Sequence, residues 1–448
     1  MRETAMGKST KQLMLFKDSF GKKVQVDFDG GQVSSDGGLL FLREVEEDIG
    51  IIDKIAGVLV DRRHPSYVTH QVISLLRQRV FQIVAGYEDG NDSDTLREDP
   101  ILKLTCESLN ALASQPTMCR FENAHGAKTL YRIAEAFLES FMDSYKEPPE
   151  GIILDLDDTD DRVHGSQQLS LFNEYYGDYC YQPMHIYEGK SGKLITTILR
   201  PGKRPSGRET VSILKRIIRR IRQSWPEVGI LIRADSHYSS PELYDYCQTN
   251  DVQYVIGYTA YDPLVREAEG LVQKARELYE ASGRPMKLYG ECCYQAKSWS
   301  RPERIVYKVE YHDQGSNQRF VVTSLEHSSR RFIYEDIYCD RGAMELMIKE
   351  HKNHLLSDRT SCTSFWANQF RLFLHSMAYV LLHQFREKHL SATELAKAQF
   401  NTIRLRLIKI GAQVRELSTR IKVHLPSSYP LQEEFWRIWQ SCCQPGVL

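Results

Sequence analysis

Two short apolar runs constrain the fold most: Gly151-Ile-Ile-Leu-Asp155-Leu-Asp157-Asp158-Thr159 and Val228-Gly-Ile-Leu-Ile-Arg233-Ala-Asp235-Ser236. Neither has a helical period, and both read as buried strands of a parallel sheet covered on its two faces. Each ends in aspartate, and carboxylates at the carboxyl ends of strands stand in the crevice where α/β sheets place their sites. On a regular strand Asp155 and Asp157 point to the same face, about 7 Å apart, and Asp158 points away. Either of the first two therefore fits as a first acid. Asp160 and Asp161 read as turn or cap residues.

Downstream, Tyr338-Cys-Asp-Arg341-Gly-Ala-Met-Glu345-Leu-Met-Ile-Lys-Glu-His-Lys352 gathers unlike charges on one helical face. Offsets of three, four and seven residues fall on one side of a helix. The stripe is therefore Tyr338, Arg341, Glu345, Lys349 and Lys352. Salt links along an exposed helix give the same pattern. With two strand-end aspartates upstream, however, Asp157, Asp235 and Glu345 make a metal-binding acid triad.

The order Asp, Asp, Glu, with a third-acid helix reading Tyr-x2-Arg-x3-Glu-x6-Lys, resembles the DDE transposases of bacterial insertion sequences, in the branch marked by that signature. The motif resemblance covers residues 150–385, and Leu112-Ala-Ser-Gln-Pro-Thr-Met-Cys-Arg-Phe-Glu-Asn and Lys297-Ser-Trp-Ser look like further members' segments. The resemblance implies a ribonuclease H-like core and two Mg²⁺ ions per site, replaceable by Mn²⁺, set about 3.5–4 Å apart on oxygen ligands. Asp157 would bridge the ions, with Asp235 and Glu345 as separate ligands and Asp155 as the alternative first acid. Asp157-Asp158-Thr159 has the Asp-x-Thr form typical of the family. Arg341 and Lys352 would hold phosphates of the element's end. Tyr338 would add its hydroxyl, and Trp299 would stack on a flipped base. The implied partner is double-stranded DNA, as terminal inverted repeats and target, bound by a homodimer.

The rest of the chain fits around that core. A formal net charge of -1 is uninformative, but basic residues cluster locally. In the helix-like run 209–222, Arg216, Arg219 and Arg220 share one face and Ile217, Ile218 and Ile221 the other. Such a face is either merely solvated or a phosphate-contacting surface. Leu104–Leu112, a break at 113–116 and Thr117–Glu122 have the form of a helix-turn-helix with Ser114 as N-cap, which would let Arg120 read DNA. Plain bundle packing looks the same. The expected organisation is a helical DNA-end-binding region at 1–148, opening with a mobile polar arm to about residue 25. The core follows at 149–259 with strands near 179–188, 193–199, 228–235 and 252–258. Glu345 lies 110 residues beyond Asp235, too far for a structureless loop, so 260–335 reads as an inserted β-rich subdomain. The core resumes at 336–385, and 386–448 reads as a basic helical region. Ten cysteines without a CxxC pair, no apolar run near the ~18 residues of a membrane span and no signal-peptide core fit a cytoplasmic, nucleoid-associated protein.

Two other readings exist. Ile152-Ile-Leu-Asp155-Leu-Asp157-Asp158-Thr159 also fits the first motif of haloacid-dehalogenase-like phosphatases, with Asp155 as nucleophile, although Asp235-Ser-His-Tyr lacks the later paired-acid loop. The other is a catalytically inactive DNA-binding relative, against which the intact acid set argues.

Overall fold

The computed structural model describes residues 14–443. Its centre is an eight-stranded mixed sheet. The strands are β1 (Gly151–Asp158), β2 (Met184–Glu188), β3 (Leu194–Ile198), β4 (Gly229–Ala234), β5 (Gln253–Tyr258), β6 (Met286–Tyr294), β7 (Glu303–His312) and β8 (Gly315–Thr323), in the order β6-β7-β8-β5-β4-β1-β2-β3. The two apolar runs are neighbours and parallel, in register from Gly151 opposite Gly229 to Leu156 opposite Ala234. β5 joins β4 in parallel, while β2 and β3 continue the other side as antiparallel strands.

Alternation along β1 and β4 separates the layers. Ile152, Leu154, Leu156, Ile230 and Ile232 share one apolar cluster with Leu214, Ile217, Ile218 and Ile221 of the basic helix Gly207–Ser224. Ser206 caps that helix by accepting from Glu209 N at 3.2 Å. The opposite face of the sheet carries Asp155, Asp157 and Arg233 and is covered by the helical stretch 332–354 and the helix Phe365–Gln384. The Phe365–Gln384 helix is buried almost all round, including its polar Asn368, Gln369, Arg371, His375 and Ser376, and packs among the N-terminal helices.

Several boundaries differ from the sequence reading. The expected strand near 179–188 breaks at Pro183, which has no N–H to donate. Asp178–Tyr181 instead pairs with Asp161–Arg162 and Leu171–Asn173 in a small separate sheet. Segment 260–335 is not a subdomain with its own sheet: it opens with the helix Asp262–Ser282, and β8 pairs with β5, so β6–β8 extend the core sheet. Of the expected arm, residues 14–26 form an antiparallel hairpin, Met14–Ser19 with Lys22–Val26, and residues 1–13 lie outside the described residues. The C-terminal region is not all helix: Ala412–Leu417 and Arg420–His424 are strands, and Ala412 and Gln413 pair with Ser34 and Val33. The first helix of the expected helix-turn-helix is Pro100–Thr105, not 104–112, because Glu107 turns into the left-handed region at φ 55°. The second, Gln115–Glu122, starts at Ser114 with Pro116 in its first turn, as expected.

One buried ion pair pins the layers together. Arg233 and Asp155 are register partners, and the guanidinium donates Nε and Nη2 to the two carboxylate oxygens at 2.6 Å each. Its Nη1 donates to Ile337 O at 2.8 Å and Asp340 Oδ2 at 3.1 Å, tying strand to helix. Both Arg233 and Asp155 are fully buried, and burial lifts the Asp155 carboxyl above its usual range against the pull of the guanidinium. With both oxygens committed, Asp155 is not free to serve as the alternative first acid. Asp155→Ala strands a buried guanidinium, so it should cost about 3–5 kcal/mol of stability. Urea unfolding monitored by circular dichroism reads that loss, and a variant within 1 kcal/mol (~) of wild type would show the pair to be dispensable.

Candidate catalytic site

Asp157 and Asp235 each stand one residue beyond the last parallel register pair, Leu156 with Ala234, so their carboxylates emerge from adjacent strand ends. Asp157 Oδ1 accepts from Asp158 N at 3.0 Å, and its Oδ2 accepts from Arg341 Nη1 at 2.8 Å. Asp235 Oδ1 accepts from His237 N at 2.9 Å and so caps the short turn Ser236–Tyr238. Arg204 clamps that turn from outside, donating to Ser236 O and His237 O at 2.8 Å and to Ser239 O at 3.3 Å. Behind Asp157, Asp158 Oδ1 faces His237 Nδ1 at 3.5 Å and raises the imidazole's pKa by hydrogen bonding, while Asp158 Oδ2 is buried without a partner.

Crowded carboxylates in a desolvated place resist ionisation. Burial pushes Asp157 up to about 7; Arg341 opposes the rise, and Asp235 and Asp158 add to it. The Arg341 guanidinium is therefore a cation already drawn to the place where negative charge is most strained.

Two residues of the stripe, Arg341 and Lys352, reach this strand end, through a helix of changing pitch. Wide π-type turns at Phe332–Tyr338 and Glu350–His354 flank a regular helix at Gly342–Lys349, a device that re-aims side chains. Arg341 reaches Asp157, and at the far end Lys352 Nζ reaches Asp160 Oδ1 at 2.8 Å and Thr159 Oγ1 at 3.2 Å, in the loop that follows β1. Tyr338 lies over β5, where a Cβ on Gly257 would stand 2.5 Å from its hydroxyl and 3.0 Å from Ser236 N. Glu345 is exposed on the turn after Arg341 and makes no hydrogen bond or ion pair among the described residues. The expected triad is not gathered: among those residues no three His, Cys, Asp or Glu groups are placed to hold a metal ion, because Arg341 and not Glu345 meets Asp157. The donors that do converge, Asp157 and Asp235, are hard oxygen ligands that fit Mg²⁺ or Mn²⁺, and the unpartnered oxygen of Asp158 marks uncompensated negative charge beside them.

Other expected residues lie elsewhere. Trp299 is 7% exposed, with Tyr244 and Tyr258 ring centroids at 5.3 Å and Tyr294 at 5.6 Å, so it is a packed wall and not an open stacking platform. It borders a cavity of about 350 Å³ beside Ser236 and Arg204. Arg216, Arg219 and Arg220 ride on the helix covering the other face of the sheet, where Arg220 pairs with Glu139 at 3.0 Å. Arg120 is exposed on Gln115–Glu122 and donates only to Thr117 Oγ1, at 3.2 Å. Sequence reasoning placed Arg204 only in a basic cluster and gave Asp160 a mere turn role; the basic residue before the helix and the adjacent acids Asp160 and Asp161 just after β1 were the signals.

A family model described as transposase DDE domain group 1 matches residues 16–444. No curated protein matches the chain. Among solved structures the chain is similar to a piggyBac transposase, determined by cryo-electron microscopy as a synaptic complex with hairpin DNA, at 11% identity and a TM-score of 0.42, over 84% of this chain and 80% of that one. No described helix is long and apolar enough to cross a membrane. With 429 consecutive positions spanned by the family model, including both strand-end aspartates and the third-acid helix, the chain belongs to the DDE transposase family.

Proposed function

We propose that this DDE transposase binds the terminal inverted repeats of a bacterial insertion sequence, cleaves at the element's ends and joins the freed 3′ hydroxyls to target DNA. The observation that carries the reading is the pair of carboxylates Asp157 and Asp235 at adjacent parallel strand ends, with an arginine of the Tyr-Arg-Glu-Lys helix already on the first. The order of β1 to β5, three antiparallel strands, a helix and two parallel strands, supports a ribonuclease H-like core.

Bound divalent ions would activate the attacking oxygen and stabilise the leaving one. Asp157 and Asp235 would hold them, and Glu345, which has no protein partner to surrender, would supply the third carboxylate. With Asp157 holding an ion, the Arg341 guanidinium would be free to take a DNA phosphate as a fork. Lys352, tethered to Asp160 and Thr159, holds a point charge at the same strand end. The phosphatase reading loses its nucleophile, since Asp155 is fully engaged with Arg233. Action as a homodimer on duplex DNA in the cytoplasm belongs to the same proposal.

Asp235→Asn and Glu345→Gln should each lower Mg²⁺-dependent cleavage of DNA carrying the element's ends by more than the roughly 10–100-fold cost of losing a supporting residue, while binding measured in EDTA stays within a few fold. Near wild-type cutting by either variant would sink the acid assignment. In the helix, Arg341→Ala and Lys352→Ala should slow cleavage more than they weaken binding, and Lys349→Ala, on the exposed flank, should do little; equal effects from all three would favour a merely solvated face.

Protonation gives an independent test. The Asp157 carboxyl is raised in the fold to about 7 from about 4 unfolded, so its contribution to stability is fully present below the unfolded value and is lost as pH rises through about 7. Without metal, melting temperature should fall across that window, and Asp157→Asn should flatten part of the fall. Millimolar Mg²⁺ should raise the wild-type melting temperature at pH 8 but not at pH 5, where the proton holds the ligand, and should not raise that of Asp157→Asn. Equal Mg²⁺ shifts in both proteins would place the ion elsewhere.

A further inference from the structure

A second concentration of cationic and aromatic side chains lies away from the acids, between loop 60–70 and the helix Gln115–Glu122. They surround a cavity of about 500 Å³ whose floor is apolar, made by Val60, Val72, Leu75, Phe121 and Ala124. Arg62, Arg63 and Arg120 stand at its walls. Arg63 is neutralised by Asp61, with contacts of 2.8 and 2.7 Å. Arg62 and Arg120 are exposed and have no carboxylate partner among the described residues. The two remaining imidazoles add no charge: burial, together with nearby arginines, lowers the pKa of His70 and takes that of His125 down to about 4. His125 Nε2 is buried with no hydrogen-bond partner.

The lip of the cavity is built to keep an aromatic ring outside. Pro65–Tyr67 forms a single tight turn capped by His64, whose Nδ1 lies 2.7 Å from Ser66 Oγ. That turn leaves Tyr67 83% exposed, although burying such a ring is worth 1.5–3 kcal/mol (~). An apolar floor, an unsatisfied imidazole nitrogen, two unpaired guanidiniums and a presented ring make a set suited to one unstacked nucleotide: base inside or against the ring, phosphate on the arginines.

One wall of the cavity rests on the helix Phe365–Gln384, which packs against the central sheet. Phe121 and His125 pack on Phe370, with ring centroids at 5.3 and 4.2 Å. The neighbouring Gln369 accepts from Leu199 N at 2.6 Å, just past β3. Ile198, the last residue of β3, pairs with Met184, which pairs with Asp158.

We infer that the cavity bounded by Arg62, Tyr67, Arg120 and His125 is a binding site for an unpaired nucleotide of a DNA strand, held by stacking and by phosphate contact. The inference rests on the transposase reading for the presence of DNA but not on the acid assignment, and so its test omits metal. The probes are fluorescein-labelled random-sequence DNAs of one length: a blunt duplex, the same duplex with a five-nucleotide 3′ tail, and the single strand, titrated in EDTA at several salt concentrations.

The expected result is that wild type prefers tailed and single-stranded DNA to blunt duplex by about tenfold, the scale of one stacked base. Tyr67→Ala should abolish the preference while leaving blunt-duplex affinity unchanged, and Tyr67→Phe should keep it. Arg62→Gln and Arg120→Gln should each weaken tailed-DNA binding and reduce its salt dependence by about one ion. Since Tyr67 is exposed, these variants should melt like wild type. Equal wild-type affinity for all three probes, no binding of any of them, or a Tyr67→Ala loss shared equally by blunt and tailed DNA would each overturn the inference. Running the same titrations on Asp235→Asn separates the two readings: a variant that cannot cleave yet keeps the tail preference supports the pocket, whatever becomes of the acids.

Discussion

The buried pairing of Arg233 with Asp155 sets the geometry on which the rest of the site depends. A fully desolvated guanidinium tolerates few arrangements, and here all three nitrogens are used: two donate to the neighbouring strand's carboxylate, and the third donates to Ile337 O and Asp340 Oδ2 in the segment that leads into the third-acid helix. Such a pair is a weak source of net stability but a strong penalty on misplacement. It holds β1 and β4 in one register and sets Ile337 at one height above the sheet. Tyr338 and Arg341, one and four residues on, then fall over the strand ends.

Above that pin the charges are left unbalanced. Asp157, Asp158 and Asp235 crowd one place, where Arg341 meets Asp157 and His237 faces Asp158, with one buried carboxylate oxygen of Asp158 still unsatisfied. On the function proposed above, a metal ion on the carboxylates and a phosphate on the guanidinium would satisfy both groups better than they satisfy each other. The same reasoning explains why Glu345 stands free. A carboxylate committed to a protein partner would have to surrender it before binding an ion.

Much of this was legible beforehand, for local reasons. Strand-end aspartates in non-periodic apolar runs place themselves at a sheet's edge, and Arg341 and Lys352 at helical spacing reach the same strand end. The basic helix also formed as its alternation of isoleucine and arginine requires, with the isoleucines buried. The misreadings were of longer range. That β8 would pair with β5 and extend the core, that Trp299 would be enclosed by three tyrosines, and that the arginines of the basic helix would ride on the face away from the acids are decided by which surfaces meet, and no local pattern encodes that.

What the sequence by itself determined is the chemistry available: carboxylates in the order Asp155 or Asp157, then Asp235, then Glu345, and cations at fixed helical offsets from the last of them. What only the tertiary structure decided is who meets whom. Asp155 and Asp157 are equivalent on a strand of period two, and nothing local separates them; the arrival of Arg233 from the adjacent strand removes one from solvent and leaves the other at the edge. Likewise Arg341 and Glu345 share a helical face, yet the height of the helix over the sheet lets only one touch Asp157. Periodicity sets the direction in which a side chain points, and packing distance sets whether anything is there to receive it.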